Sequence, residues 1–159
     1  MLSLDSPRWA ELEQAYGSAE DIPRLIEALA REEDEDARSE LWLGVWATLS
    51  PQAGGVNAAY AVVPHLLDVV RSQNALERLA ALHFATRVEL SRQSGGAPPI
   101  PHDLVAAYAV AIESMPERVH ELTQHPWDTT TAQILAAALL VGKRQPVLAR
   151  ELLREREES

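Results

Sequence analysis

Prolines recur along this chain at intervals close to 40 residues, and this spacing limits the folds that the sequence can adopt. The four prolines, Pro23, Pro64, Pro101 and Pro146, are 41, 37 and 45 residues apart. The first two lie in similar segments, IPRLIEAL at residues 22–29 and VPHLLDVV at residues 63–70. Repetition at such a period indicates an array of similar structural units.

Each period has room for two helices. Apolar residues recur at spacings of three and four between the prolines, which predicts helices and not strands. The aromatic content of 5% also disfavours a β-sandwich. Two helices per period of about 40 residues are typical of HEAT-type repeats. We therefore expect an all-α fold without a sheet: one HEAT-like α-solenoid domain over residues 1–159, with about eight helices in antiparallel hairpins.

Capping residues and glycines set the expected ends of these helices. The first helix is expected to begin at Pro7, after the capping residue Ser6, and to stop at Gly17. Ser18 with Asp21 resembles a capping box for the second helix. The other helices are expected at residues 36–49, 56–71, 74–90, 101–115 and 129–142, and from residue 146 onward. Pro116 allows the sixth helix to stop or to restart toward His120.

Two of these expectations depend on single residues. Pro64 falls inside the fourth helix, where it removes one backbone hydrogen bond and should kink the helix near Tyr60. Asn74 and Thr129 are the expected caps of the fifth and seventh helices, because their side chains accept hydrogen bonds from the free amides of a first turn.

Negative charge is concentrated in the N-terminal third of the chain. The net charge is −10; residues 1–60 carry 12 acidic and 4 basic side chains, whereas residues 61–159 carry 12 and 10. Binding to a phosphate backbone requires the opposite sign, so we expect no nucleic-acid partner. A focused negative field attracts a basic protein and speeds its association. An acidic surface that only maintains solubility is the alternative.

Five consecutive acids, residues 32–36, precede an unusually apolar helix. We expect an exposed turn, with its last acids at the positive end of the next helix. A helix that is apolar nearly all round lies between layers, or it shows an apolar face to a partner. Trp42 and Trp46 share one face and could both be core, but Trp46 also follows Leu43 by three positions and could form a patch beside the acids. The predicted partner-binding residues are Glu32, Glu33, Asp34, Glu35, Asp36, Glu40, Leu43 and Trp46.

No pattern for chemistry is recognisable in the sequence. The histidines lack the i, i+4 pair of helical zinc sites, and His65 with Asp68 has no identifiable third ligand. The chain has no cysteine, no G-x-S-x-G motif and no glycine motif for phosphate. We therefore expect no catalytic residue, metal or cofactor. A small hydrolase or lyase is kept as an alternative, which a buried polar cluster inside a deep pocket would favour.

The sequence predicts a cytoplasmic protein. Its first residues lack the basic and apolar regions of a signal peptide. No apolar run reaches the roughly 18 residues that a membrane span needs, so we expect no membrane partner. The absence of cysteine excludes a disulfide framework.

Several short segments carry a recognisable set of motifs: Trp9, Tyr16-Gly17 and Ile22-Pro23, then Leu41-Trp42, Leu49-Ser50-Pro51-Gln52-Ala53-Gly54, and Ala58-Ala59-Tyr60-Ala61-Val62-Val63-Pro64-His65-Leu66. In these motifs the chain resembles a bacterial family of small HEAT-like proteins. The resemblance covers residues 4–110 and implies a HEAT-like fold. Some members resemble immunity proteins encoded beside polymorphic toxins. The family's turn usually contains Gln-Gly and a bulky residue, whereas this chain has Gln52-Ala53-Gly54-Gly55.

Charge and resemblance together lead to a functional hypothesis. We expect an immunity protein that binds a toxin domain with a basic surface and neutralises it stoichiometrically, using the acidic N-terminal third. The alternative is a HEAT-like scaffold or adaptor without a toxin partner. The genes that neighbour this one would distinguish these two possibilities.

Overall fold

The chain folds mainly into α-helices. The structure, a computed structural model, describes residues 1–50 and 56–157. The helices are α1 (Ile22–Arg31), α2 (Glu35–Leu49), α3 (Ala58–Val69), α4 (Ala75–Gln93), α5 (Val105–Glu113), α6 (Met115–Glu121), α7 (Thr129–Gly142) and α8 (Pro146–Glu157). Short 3-10 turns lie at Pro7–Glu11, Val70–Ser72 and His102–Leu104. The all-α prediction is confirmed, and seven of the eight expected helices are found within the described residues.

The first expected helix is wrong. The Ser6 hydroxyl does accept a hydrogen bond from the Arg8 amide at 3.2 Å, as a cap should. However, only the 3-10 turn Pro7–Glu11 follows. The chain then forms a two-stranded antiparallel hairpin, β1 (Glu13–Gln14) and β2 (Gly17–Ser18), so the expectation of no sheet is also wrong.

Backbone partners from distant parts of the chain explain this hairpin. The Glu13 amide donates to Asn57 Oδ1 at 2.7 Å, and the Ala15 amide donates to the Thr48 carbonyl at 2.8 Å. A helix would use these amides internally, so tertiary contacts compete with it. Gly17 has φ +123°, which few L residues adopt, and it therefore serves the hairpin and not a helix end.

The predicted caps have mixed outcomes. Asn74 caps α4 as expected, because its Oδ1 accepts from the Glu77 amide at 3.0 Å. The capping box is wrong, since the Ser18 hydroxyl donates to the Ala10 carbonyl and Asp21 makes no side-chain cap bond.

The cap expected at Thr129 is also wrong. It is displaced by one residue, because Asp128 Oδ1 accepts from the Thr131 amide at 2.7 Å and so caps α7. An aspartate competes well with threonine for this position because its carboxylate also suits the positive end of the helix.

The sixth expected helix is shorter than 101–115, and a separate helix follows it toward His120, one of the two outcomes that Pro116 allows. A 3-10 turn follows Pro101, and a single residue, Ser114, separates the end of α5 at Glu113 from the start of α6 at Met115. Pro116 lies in the first turn of α6. Its ring clashes with the carbonyl four residues earlier and it has no amide to donate, so a continuous helix through this point is unfavourable.

Helix α3 lies at the centre of the molecule. Its residues from Ala58 to Leu67 are all buried, Pro64 among them. Helices α1, α4 and α5 pack against it, while α4 in turn contacts α7 and α8, and α6 packs on α7. A helix with neighbours on several sides can be apolar all round. The kink at Pro64 stays a prediction. No helix in the described part of the chain is long and apolar enough to cross a membrane.

Candidate functional site

Two of the five consecutive acids shape the turn between α1 and α2. Glu32 Oε1 accepts hydrogen bonds from the amides of Glu33 and Asp34, both at 3.0 Å. Asp34 Oδ1 accepts from the Ala37 amide at 2.9 Å and caps α2. These two carboxylates therefore stabilise local structure, in addition to any role in binding.

The remaining predicted acids are exposed. Glu33, Glu35, Asp36 and Glu40 face solvent and make no ion pair within the described residues. Glu40 follows Asp36 by four positions on α2, so both lie on one face of that helix. We call these four residues together with Leu43 the acidic surface.

An exposed leucine lies on the same face of α2. Leu43 follows Glu40 by three positions and is 68% exposed, while Trp42 and Val45 on the opposite side are buried. The nearly all-apolar sequence of α2 therefore gives one buried stripe and one exposed face. Leucine among carboxylates is suited to contact the apolar stems of lysine or arginine from another molecule.

The two tryptophans of α2 have different environments. Trp42 is only 8% exposed, and its indole N–H donates to the Glu77 carboxylate on α4. Trp46 is half-buried, with its ring centroid 5.3 Å from that of His83 and 5.2 Å from that of Phe84. Both tryptophans therefore pack against α4, and Trp46 is the more exposed of the two. A binding role for Trp46 stays a prediction.

The structure also reveals a buried polar cluster that sequence reasoning missed. Glu89 on α4 is only 7% exposed. Its Oε2 accepts from Arg92 Nε at 2.8 Å and from the Tyr108 hydroxyl at 2.9 Å, and its Oε1 accepts from Arg92 at 2.6 Å and from Gln93 at 2.9 Å. Tyr60 adds an edge-to-face contact with the Tyr108 ring at 5.0 Å.

These contacts determine the ionisation of the cluster. Burial alone would raise the pKa of Glu89, but the hydrogen bonds from Arg92, Gln93 and Tyr108 outweigh it and hold this pKa below its ordinary value. Burial, reinforced by the Glu89 charge, raises the pKa of Tyr108 well above its usual value. Glu89 is therefore a permanent anion and Tyr108 a permanent donor at neutral pH.

The cluster borders a cavity of about 400 Å³ between α4, α5, α7 and the start of α8. The residues that line it are Glu89, Arg92, Gln93, Ile100, Val105, Tyr108, Ala109, Ile112, Glu113, Val141, Gly142, Arg144 and Pro146. Both Glu89 oxygens already have two donors each, which leaves no lone pair to take a substrate proton. This arrangement suits the binding of a ligand better than the acid–base catalysis of a hydrolase or lyase.

A signal for the cluster was present in the sequence. Glu89 stands on α4 four residues after Ala85 and between Val88 and Leu90, so a carboxylate interrupts an otherwise buried apolar stretch. A buried charge must be paired, and Arg92 at i+3 was available to pair with it. Tyr108, 19 residues away, was not predictable, because only the tertiary fold brings it to Glu89.

His65, the histidine that the sequence pairs with Asp68, contacts the N-terminal segment of the chain. His65 is buried, and its Nε2 lies 2.7 Å from the Leu2 carbonyl oxygen and its ring 6.1 Å from that of Trp9. Burial lowers its pKa despite the hydrogen bond with Leu2. Among the described residues, no group of three or more potential ligands could hold a metal ion.

Comparison with known proteins gave no relative. The chain matches no protein-family model, no curated protein and no solved structure. The segment Gln52-Ala53-Gly54-Gly55, for which the sequence predicts a departure from the family pattern, lies outside the described residues.

Proposed function

We propose that this protein binds a protein with a basic surface, and that it does so through the acidic surface. The observation that carries the proposal is the exposure of Glu33, Glu35, Asp36 and Glu40 around Leu43, none of which forms an ion pair with a described residue. Unpaired charges of one sign steer an oppositely charged partner and raise its association rate. The exposed leucine adds apolar contact after the charges have aligned the two molecules.

The proposal includes a HEAT-like stacking of the helices. Helix α1 packs on α2, α3 on α4, and α7 on α8, while α1, α3 and α5 are successive neighbours. This order of contacts supports a stack of helical hairpins. In such a stack, each hairpin contacts chiefly its neighbours, so the first hairpin presents the acidic surface at one end.

We extend the proposal to an immunity protein, with a cytoplasmic toxin domain as the basic partner. The resemblance to small bacterial HEAT-like proteins supports this extension, and so does the charge. Toxins that act on nucleic acid have basic active sites, and an acidic inhibitor can cover such a site. A HEAT-like scaffold that binds another basic protein is the second candidate, supported by the same surface.

The test begins with capture of the partner from the native host on immobilised wild-type protein, followed by mass spectrometry. Association with the purified partner is then measured for a variant with Glu33, Glu35, Asp36 and Glu40 replaced by glutamine. Glu32 and Asp34 are left unchanged because they accept the backbone hydrogen bonds of the turn. The matched control replaces four exposed acids elsewhere, namely Asp5, Glu20, Glu117 and Glu151.

The expected result is slower association for the first variant at low ionic strength and little change for the control, although both lose the same charge. Equal rates for the two variants would mean that the acidic surface only maintains solubility. Expression of the partner alone separates the two functional candidates. Growth arrest that co-expression of this protein relieves supports immunity, whereas a harmless partner supports a scaffold.

A further inference from the structure

The cavity beside Glu89 has the size and walls of a small-molecule site. Its volume of about 400 Å³ lies within the range of ligand pockets. The apolar part of its wall comes from the segment that precedes α5, from α5 and α7, and from the first residue of α8, through Ile100, Val105, Ile112, Val141 and Pro146. Such walls accept a hydrocarbon body and leave the polar specificity to a few charged groups.

The inner polar wall offers hydrogen-bond donors and no free carboxylate. Glu89 binds Arg92 through Nε and one terminal nitrogen, which fixes the plane of the guanidinium. A guanidinium has five N–H groups, so three remain for another acceptor. Because Glu89 holds the guanidinium in place, little conformational entropy would be lost when Arg92 binds a ligand.

A second arginine stands at the rim in an unusual backbone conformation. Arg144 has φ +60°, and its amide donates to the Val141 carbonyl while the Gln145 amide donates to that of Leu140. These bonds form the Schellman motif, in which glycine is the usual residue at the position of Arg144. A side chain is therefore kept where glycine would be more stable, and strain of this kind is concentrated at functional sites.

The partner of Arg144 does not prevent it from binding a ligand. Arg144 is paired with Glu113 at 2.7 Å, but their side chains are 83% and 55% exposed. Exposed pairs of this type contribute little stability and exchange readily. The lining thus carries two arginines and two carboxylates, and this balance favours a ligand with a single negative charge over a dianion.

We propose that this cavity binds a small monocarboxylate with an apolar body, such as a medium-chain fatty acid. Arg92 and Arg144 bind the carboxylate, and the aliphatic walls from α5 and α7 enclose the chain. The site is independent of the acidic surface, so the protein would bind a metabolite in addition to its protein partner.

The test uses methyl NMR of the intact protein, with octanoate as the probe and octylammonium as a control of equal chain length. Octanoate is expected to shift the methyl signals of Ile112 and Val141 in a saturable manner, while octylammonium has little effect. Val110 is the internal control, because it lines a different groove of about 440 Å³ with Pro64 and Arg118. Equal shifts from both probes, or shifts as large at Val110, would show non-specific adsorption and overturn the proposal.

Substitution at the rim separates ligand binding from stability. Arg144→Gly removes the strain of a side chain at positive φ, so it should raise the melting temperature. It also removes the cation at the rim, so octanoate binding should weaken about tenfold, as expected for the loss of one charge-assisted contact. The neighbouring Lys143→Ala, which removes a cation that does not line the cavity, should leave binding unchanged. Unaltered octanoate affinity in Arg144→Gly, or no shift of Ile112 and Val141 at millimolar octanoate, would refute the assignment.

Discussion

Two glycines in helices should respond in opposite ways to the same substitution. Gly142 is the last residue of α7, and a Cβ atom there would lie 2.7 Å from Pro116 Cγ, closer still to Cδ, and 3.2 Å from the Ile112 carbonyl oxygen. Gly44 lies inside α2, and a Cβ atom there would meet only Leu25 Cδ1 at 3.7 Å, an ordinary contact.

The magnitudes follow from these distances. Alanine is favoured over glycine inside a helix by about 0.5–1 kcal/mol, so Gly44→Ala should stabilise the fold by about that amount. At Gly142 the same gain is opposed by the proline ring, which cannot rotate away as a flexible side chain would. Overpacking of this kind costs about 1–3 kcal/mol. Gly142→Ala should therefore destabilise the protein by about 1–2 kcal/mol.

Urea unfolding followed by far-UV circular dichroism measures both changes against the wild type. We expect the two midpoints to move in opposite directions at an unchanged slope. For a chain of this size, 1 kcal/mol corresponds to about 2–4 °C in melting temperature. A Gly142→Ala protein as stable as Gly44→Ala would refute the reasoning, since it would mean that α6 does not approach α7 as closely as the structure places it.

The other predictions concern three side chains. Trp46→Ala should lower the free energy of unfolding by about 2 kcal/mol, because this ring is half-buried against His83 and Phe84. Truncation of a fully buried tryptophan costs about 3–5 kcal/mol, and a loss of that size would assign Trp46 wholly to the core. Glu89→Ala should cost about 1–3 kcal/mol in urea unfolding, since it leaves the buried Tyr108 hydroxyl without its acceptor. Glu89→Gln should cost less, because an amide oxygen can still accept; equal losses would contradict the role of the hydrogen bonds. Burial lowers the pKa of His65 in the folded state, so the unfolded state binds more protons and the free energy of unfolding should fall as the pH drops below about 6.5. His65→Gln should abolish this pH dependence. If the dependence persists in the variant, other groups are responsible for it.

The sequence alone determined where most helices form. Asn74 marks the start of α4 and Pro146 that of α8, because a capping side chain and a ring without an amide act on their own first turn. The largely exposed connection at residues 32–34, with Glu35 and Asp36 in the first turn of α2, followed equally from local charge. Such features need no knowledge of distant residues, since the interacting groups are at most four positions apart.

Features that depend on residues far apart in sequence were decided only by the tertiary structure. The spacing of Trp9, Leu12 and Tyr16 suits a helix, yet the segment forms a hairpin because Thr48 and Asn57 bind its amides. Helical spacing also could not predict that Trp42 is more deeply buried than Trp46. This difference depends on their neighbours on α4, which are Glu77 for Trp42 and Phe84 for Trp46. The cavity at Glu89 likewise exists only once helices far apart in sequence have packed. Periodicity fixes which face of a helix is apolar, but the neighbouring helices decide which residues of that face are enclosed and which stay accessible to a partner.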